Sequence, residues 1–199
     1  MSERVKIILD KNADILRLPA IALRGLVVFP GNIIHFEVGR KKSIAAIEWA
    51  MSNNNAVFLT AQQDMDVEDP GFKDLYAYGV VAEVKQVLRV SDELVKVLVE
   101  GKYRAKLLTL DSSGRFLLAS TKAAALRGTK SVDSARVEAL VRSVKEAFEE
   151  YLSLNPRLSK DVVYTIITNE DAALLCDYIP ANLLLKYTDK QALLNEGTV

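Results

Sequence analysis

Residues Leu18 to Arg40 read LPAIALRGLVVFPGNIIHFEVGR. The stretch is mostly apolar, is broken by Pro30-Gly31, and carries His35, the sole histidine of the chain. Two readings compete: a strand ending in an active-site turn, or strands and loops of a β-barrel that grips something. A nucleophile elbow needs G-x-S-x-G, and no such spacing occurs anywhere in the sequence. Any Ser-His-Asp or Cys-His device would have to use His35. That residue alternates with Ile34 and Phe36 in IIHFEV and reads as a strand residue at a surface or rim.

Other catalytic readings fail in turn. Cys176, the only cysteine, lies in the helical run AALLCDYI and reads as a small core residue. One cysteine and one histidine leave a zinc site without its usual ligands. Gly128-Thr129-Lys130-Ser131 imitates the tail of a phosphate-binding loop. Thr129, however, separates Gly128 from Lys130, and Ala123 stands where the first glycine belongs. Glu149-Glu150 reads as a solvated helix face, not a catalytic carboxylate pair. No catalytic, cofactor-binding or metal-binding residue is assigned.

Composition narrows the class further. The 199 residues hold 26 basic and 26 acidic side chains and are 50% hydrophobic, as a folded globular protein requires. Zero net charge counts against a nucleic-acid binder, whose affinity comes from neutralising phosphates. No run approaches the ~18 apolar residues of a membrane span. The N-terminus does not read as a secretory signal, and a single cysteine permits no intrachain disulfide. The expected location is the cytoplasm.

Hydrophobic periodicity divides the chain. GVVAEVKQVLRV from Gly79 alternates, with Val80, Ala82, Val84, Leu88 and Val90 on one face and Glu83, Lys85 and Arg89 on the other. After Ser91 to Leu94 a second alternating run sets Val95, Val97 and Val99 opposite Lys96, Glu100 and Lys102. This predicts an antiparallel hairpin, with RFLLASTKA pairing back after Asp111 to Gly114. Further strands are expected at Ala20 to Val28, Ile33 to Val38 and Ala56 to Ala61. In KKSIAAIEWAMSNNN the spacing is helical; Ser43 is the expected cap, Asn53 to Asn55 the left-handed stop and Trp49 a packing residue. That helix is expected to plug one end of a barrel. From Asp133 onward the period is helical, giving one long helix ending at Asn155-Pro156 and then shorter ones. The latter include SKDVVYTIIT, EDAALLCDYI and a pair around ANLLLKY and DKQALLN, with Thr188 to Gln191 as a capping box. The fold class is α+β: a β-barrel domain over 1–126, then an α-helical bundle over 127–199.

Leu18-Pro19, Leu23-Arg24, Val27 to Gly31, Val38-Gly39-Arg40, Ser43-Ile44, Ala46 to Glu48, Ala61 to Asp64, Asp74 to Tyr76, and Val95 to Gly101 with Arg104-Ala105 resemble the start of Lon proteases. Asp177, Asn182 and Lys190 to Leu194 are similar to the helical segment that follows there. Departures fall at Ala22 and His35, near customary prolines, and at the turn Ser91 to Leu94. The resemblance implies a PUA-like pseudo-barrel that recognises substrates, in a piece lacking the ATPase module and the serine–lysine protease domain. It implies no cofactor here, ATP and Mg in the parent, unfolded or misfolded protein clients, and a homohexamer. A free-standing binding module that never had an ATPase remains the alternative. Client contacts are expected at Phe29 and Ile33, which bracket the Pro30-Gly31-Asn32 turn, and at Tyr76 and Tyr78. The competing explanation is that these side chains simply close the barrel.

Overall fold

The computed structural model describes residues 15–124, 134–155 and 158–197. The expected domain boundary and the Gly128 to Ser131 segment lie outside the described residues. Six strands, β1 (Leu16–Leu23), β2 (Ile33–Val38), β3 (Ala56–Ala61), β4 (Tyr78–Arg89), β5 (Val95–Asp111) and β6 (Leu117–Ala123), form one mixed sheet. Helix α1 (Lys41–Met51) separates β2 from β3. Helices α2 (Ser134–Leu154), α3 (Lys160–Thr168), α4 (Ala172–Asn182) and α5 (Tyr187–Asn195) follow the strands.

The sheet order is β2-β5-β4-β3-β1-β6, and β5 also pairs with β6. Strands β5-β4-β3-β1-β6 therefore close into a ring. Strand β5 makes this possible by its length. One of its edges bonds β4; the other bonds β2 from Val95 to Glu100 and β6 from Ala105 to Asp111. Between those partners, Gly101 donates its N–H to the Asn32 carbonyl (2.9 Å) and accepts from the Gly31 N–H (2.8 Å). A Cβ at Gly101 would lie 2.2 Å from the Phe29 carbonyl oxygen, so only glycine lets the 29–32 segment cross β5 there.

From Leu18 onward β1 is apolar without alternation because both of its faces are buried there. Ile21 and Leu23 join a cluster with Phe29, Val80, Val97 and Val99, while Leu18, Ala20 and Ala22 join another with Phe58, Val81, Tyr103 and Leu117. β1 stops at Leu23, short of the expected Val28, because Gly25 turns the chain at a φ of +62°. The predicted hairpin of β4 and β5 is present, but its alternation breaks. A register shift between Val84 and Gln86 inserts an extra residue, so Val87 packs inward while Leu88 and Val90 stand 58% and 55% exposed.

Helix α1 packs Ile44, Ala46, Ile47 and Ala50 into the first cluster. Its N-cap is Arg40, with no side-chain capping bond; Ser43 is buried inside the first turn. Asn55 supplies the left-handed stop at a φ of 58°, donating its N–H to the Ala50 carbonyl. The Trp49 ring packs against Phe116, 5.7 Å between centroids. In the second half, Phe148, Ile166 and Leu175 from α2, α3 and α4 form a third cluster. Ser159 and Asp171 cap α3 and α4. Helix α4 runs through Pro180 to Asn182, and residues 184–186 are not helical, so one helix replaces the expected pair. The expected capping box is also absent. Helix α5 begins after Lys186, and Gln191, 1% exposed, instead donates its side-chain N–H to the Tyr78 carbonyl (2.9 Å) and Asn195 Oδ1 (2.8 Å).

Arg104 of β5 joins sheet and helices. Only 5% exposed, it donates from Nε to Asp177 Oδ1 (3.0 Å), from Nη2 to the same oxygen, and from Nη1 to the carbonyls of Leu194 (3.3 Å) and Glu196 (2.7 Å). Burial nevertheless lifts the Asp177 carboxyl above its ordinary value, with the Arg104 charge opposing. Removing one partner of a buried pair strands the other. Arg104→Met is therefore expected to cost about 3 kcal/mol or more in urea unfolding, and unchanged stability would remove its role as the seam. Gly101→Ala is expected to cost about 1–3 kcal/mol by overpacking. Gly114→Ala, where a Cβ meets nothing nearer than 3.7 Å, serves as the neutral control.

Candidate functional site

The four expected client contacts occupy different environments. Phe29 is fully buried at the centre of the first cluster. The loop position suggested exposure, but the open backbone at Gly101 admits the chain and turns this ring inward. Phe29 thus presents no surface to a client and is corrected to a core residue. Ile33, the first residue of β2, is 66% exposed and pairs with Glu100. Tyr76 is half-buried against the first cluster; burial, and then Tyr187, push its phenol pKa up. Tyr78 opens β4, half-buried, with Lys106 Nζ 5.8 Å from its ring centroid. Ile33 and Tyr78 pair with Glu100 and Lys106, six residues or about 20 Å apart along β5. Ile33 and the two tyrosines therefore do not form one patch.

His35 is exposed on β2. Cys176 is exposed on α4, not the small core residue expected. The apolar wall beside its thiol raises the pKa, against the influence of Arg104, and so disfavours the reactive thiolate. Among the described residues, no three histidine, cysteine or acidic side chains gather as metal ligands. No helix there is long and apolar enough to cross a membrane.

Among the clefts that escaped the sequence reading, two are distinguished by their lining. The first, about 370 Å³, lies among α2, α4 and α5 and is walled by Val137, Leu140, Val144, Ile179 and Leu193. Leu140 and Val144 are 53% and 44% exposed. Their four-residue spacing was the available signal, but they flank the stripe that feeds the third core and merge with it on paper. The second cleft, about 280 Å³, lies between the end of β1 and β2 and contains Arg24 and Arg40. Arg40 donates to the Ala22 carbonyl (3.0 Å), the Val67 carbonyl (3.2 Å) and the buried Gln62 side chain. Burial first, then the neighbouring Arg24, lowers its pKa.

Around Ile33 the sheet surface is a charge lattice. Lys85 Nζ lies 2.8 Å from both Glu83 and Glu100, and Lys102 Nζ lies 2.9 Å and 2.6 Å from the same two carboxylates. Hydrogen bonds from the lysines, Lys85 foremost for Glu83 and Lys102 for Glu100, hold both carboxyls below their ordinary range. Depressed acids contribute stability above their unfolded pKa, about 4.3, and lose it as pH falls through the folded value. A carbon-detected NMR titration is expected to place both carboxyls below that reference, with Lys85→Met returning them towards it. Ordinary values in the parent chain would dissolve the lattice.

A family model described as ATP-dependent protease La (LON) substrate-binding domain matches residues 17–199. Lon protease of Desulforamulus reducens is 38% identical over 183 residues, 92% of this chain and 22% of that relative. Lon protease of Escherichia coli K12 is 36% identical over 189 residues, 95% of this chain and 24% of that relative. The chain thus spans about a quarter of these curated relatives. Among solved structures, the N-terminal domain of Mycobacterium avium complex Lon protease aligns at a TM-score of 0.63 and 17% identity, covering 89% of this chain and 95% of that one. The Lon N-terminal domain protein of Xanthomonas campestris aligns at 0.62 and 14%, covering 92% and 91%. These two likenesses concern the fold. The match across 17–199 concerns descent as well: the chain belongs to the family of Lon protease substrate-binding domains.

Proposed function

We propose that this chain is the non-catalytic, client-recognising part of a cytoplasmic Lon-type ATP-dependent serine protease. The observation that carries the reading is the family match over 17–199, together with relatives named Lon protease of which this chain spans about a quarter. In that reading, ATP and Mg act in modules beyond this one, and the chain contributes to a homohexamer. The ring of strands is its PUA-like pseudo-barrel (1–126) and the later helices its bundle (127–199), with Arg104 at the seam.

Unfolded or misfolded proteins share exposed apolar side chains and free backbone, with no fixed sequence. Three exposed or half-exposed members of the expected set, Ile33, Tyr76 and Tyr78, offer apolar or aromatic area of that kind. Tyr78 is the stronger aromatic candidate, since Tyr76 packs on the core. The apolar cleft among α2, α4 and α5 adds a surface that a client side chain can enter.

The test is to titrate the purified chain with a casein-like unfolded protein and with a stably folded one of similar charge. Binding is expected for the unfolded protein alone, and to survive moderate salt. Ile33→Ala and Tyr78→Ala, at unchanged melting temperature, are each expected to weaken it by about 1–2 kcal/mol if they are hot spots. Equal binding of folded and unfolded proteins would overturn the reading; unchanged affinity in both variants would move the contact elsewhere on the surface.

A further inference from the structure

Ring closure leaves one strand outside. β2 ends the sheet order and, among the described residues, is hydrogen-bonded to β5 alone. The parity of that ladder is set at Gly101, which donates to the Asn32 carbonyl. Antiparallel ladders alternate between residues that bond their opposite number and residues that do not. Counting from Asn32, the residues Ile34, Phe36 and Val38 turn their N–H and C=O groups towards β5, and Ile33, His35 and Glu37 turn theirs away. The far edge of β5 agrees. Val84, opposite Val99, gives its N–H to Asn55 on the other side (2.7 Å), leaving Val99 to bond Ile34.

Among the described residues, no backbone hydrogen bond from outside this ladder reaches Ile33, His35 or Glu37. Their side chains are exposed, while Ile34 and Phe36 pack on the first cluster and Val38 lies within it. The strand is therefore held from behind and open along its edge. Proteins usually blunt such an edge with proline, lysine or a bulge. β2 has no proline and no lysine, its pairing from Ile33 to Val38 is unbroken, and only the last of its outward residues, Glu37, is charged.

Donor–acceptor pairs repeating about every 6.8 Å match extended polypeptide backbone and ask nothing of its sequence. We propose that an unfolded client docks by adding a strand to the free edge of β2, with the exposed Ile33 side chain as an apolar foothold. This rests on the client-recognition reading above and gives that reading its contact.

Proline fits an edge position whose N–H points outward but breaks a ladder position. His35→Pro is thus expected to fold and to bind an unfolded casein-derived peptide roughly three- to tenfold more weakly, the worth of about one net hydrogen bond. His35→Ala is expected to bind as the parent does. A second arm leaves the protein unchanged: the same peptide, N-methylated at alternate residues, keeps its side chains and is expected to lose affinity similarly. Equal binding of methylated and plain peptide overturns the proposal, whether or not His35→Pro folds. Self-association of the chain that His35→Pro abolishes, with peptide binding untouched, also overturns it, assigning the edge to a second copy. If the parent chain binds no unfolded protein, both this inference and the function reading fall. If it binds but ignores methylation, only this inference falls.

Discussion

The guanidinium of Arg104 is the point on which both halves of the molecule depend. It projects from β5, the strand that pairs with β2, β4 and β6, and is removed from water. It there meets one carboxylate and two backbone carbonyls drawn from α4 and the end of α5. A buried guanidinium is tolerable only when its donors are used. Asp177 must therefore stay where α4 puts it, and the chain after Leu194 must return to the sheet. Leu194 and Gln191 make the same return from the other direction, one in the first cluster and the other on the Tyr78 carbonyl.

Against that seam, the pairing of the sheet is interrupted at several points, and two of these interruptions shape its open end. Gly101 separates the β2 half of β5 from the β6 half and takes the Phe29 carbonyl against its own backbone. The extra residue after Val84 reverses which side of β4 faces inward. Together they let a 17-residue strand serve three partners without every side chain following one alternation. The exposed apolar residues Leu88 and Val90, and the open edge of β2, sit at the end of the sheet that these interruptions create.

The strands were legible in the sequence because period-2 alternation survives wherever one face is buried, as in Val95, Val97 and Val99. The left-handed stop at Asn55 was legible because asparagine tolerates that conformation. What failed depended on distant partners. No local pattern marks the bulge that exposed Leu88, since the extra residue is defined only by its register against β5. Phe29 looked like a loop aromatic until Gly101, more than seventy residues later, was seen to admit it. The local motif at Thr188 to Gln191 lost to a tertiary one, because a buried glutamine finds better use on Tyr78. As to the site, exposure of Ile33 was expected and is present. The helical cleft was not foreseen, because Leu140 and Val144 read as core on a helical wheel.

The route by which β5 closes the ring also orders the events of synthesis. β1 and β2 are made first, yet β2 has no partner until Val95–Glu100 exists, and β1 meets β6 only at Leu117 to Thr121. Roughly a hundred residues must leave the ribosome before the earliest strands are satisfied, and such non-local pairing is slow. Until β3 is made, the apolar LPAIAL segment has neither of its described strand partners. A substrate-binding domain thus passes, in its own making, through a stage of exposed apolar chain.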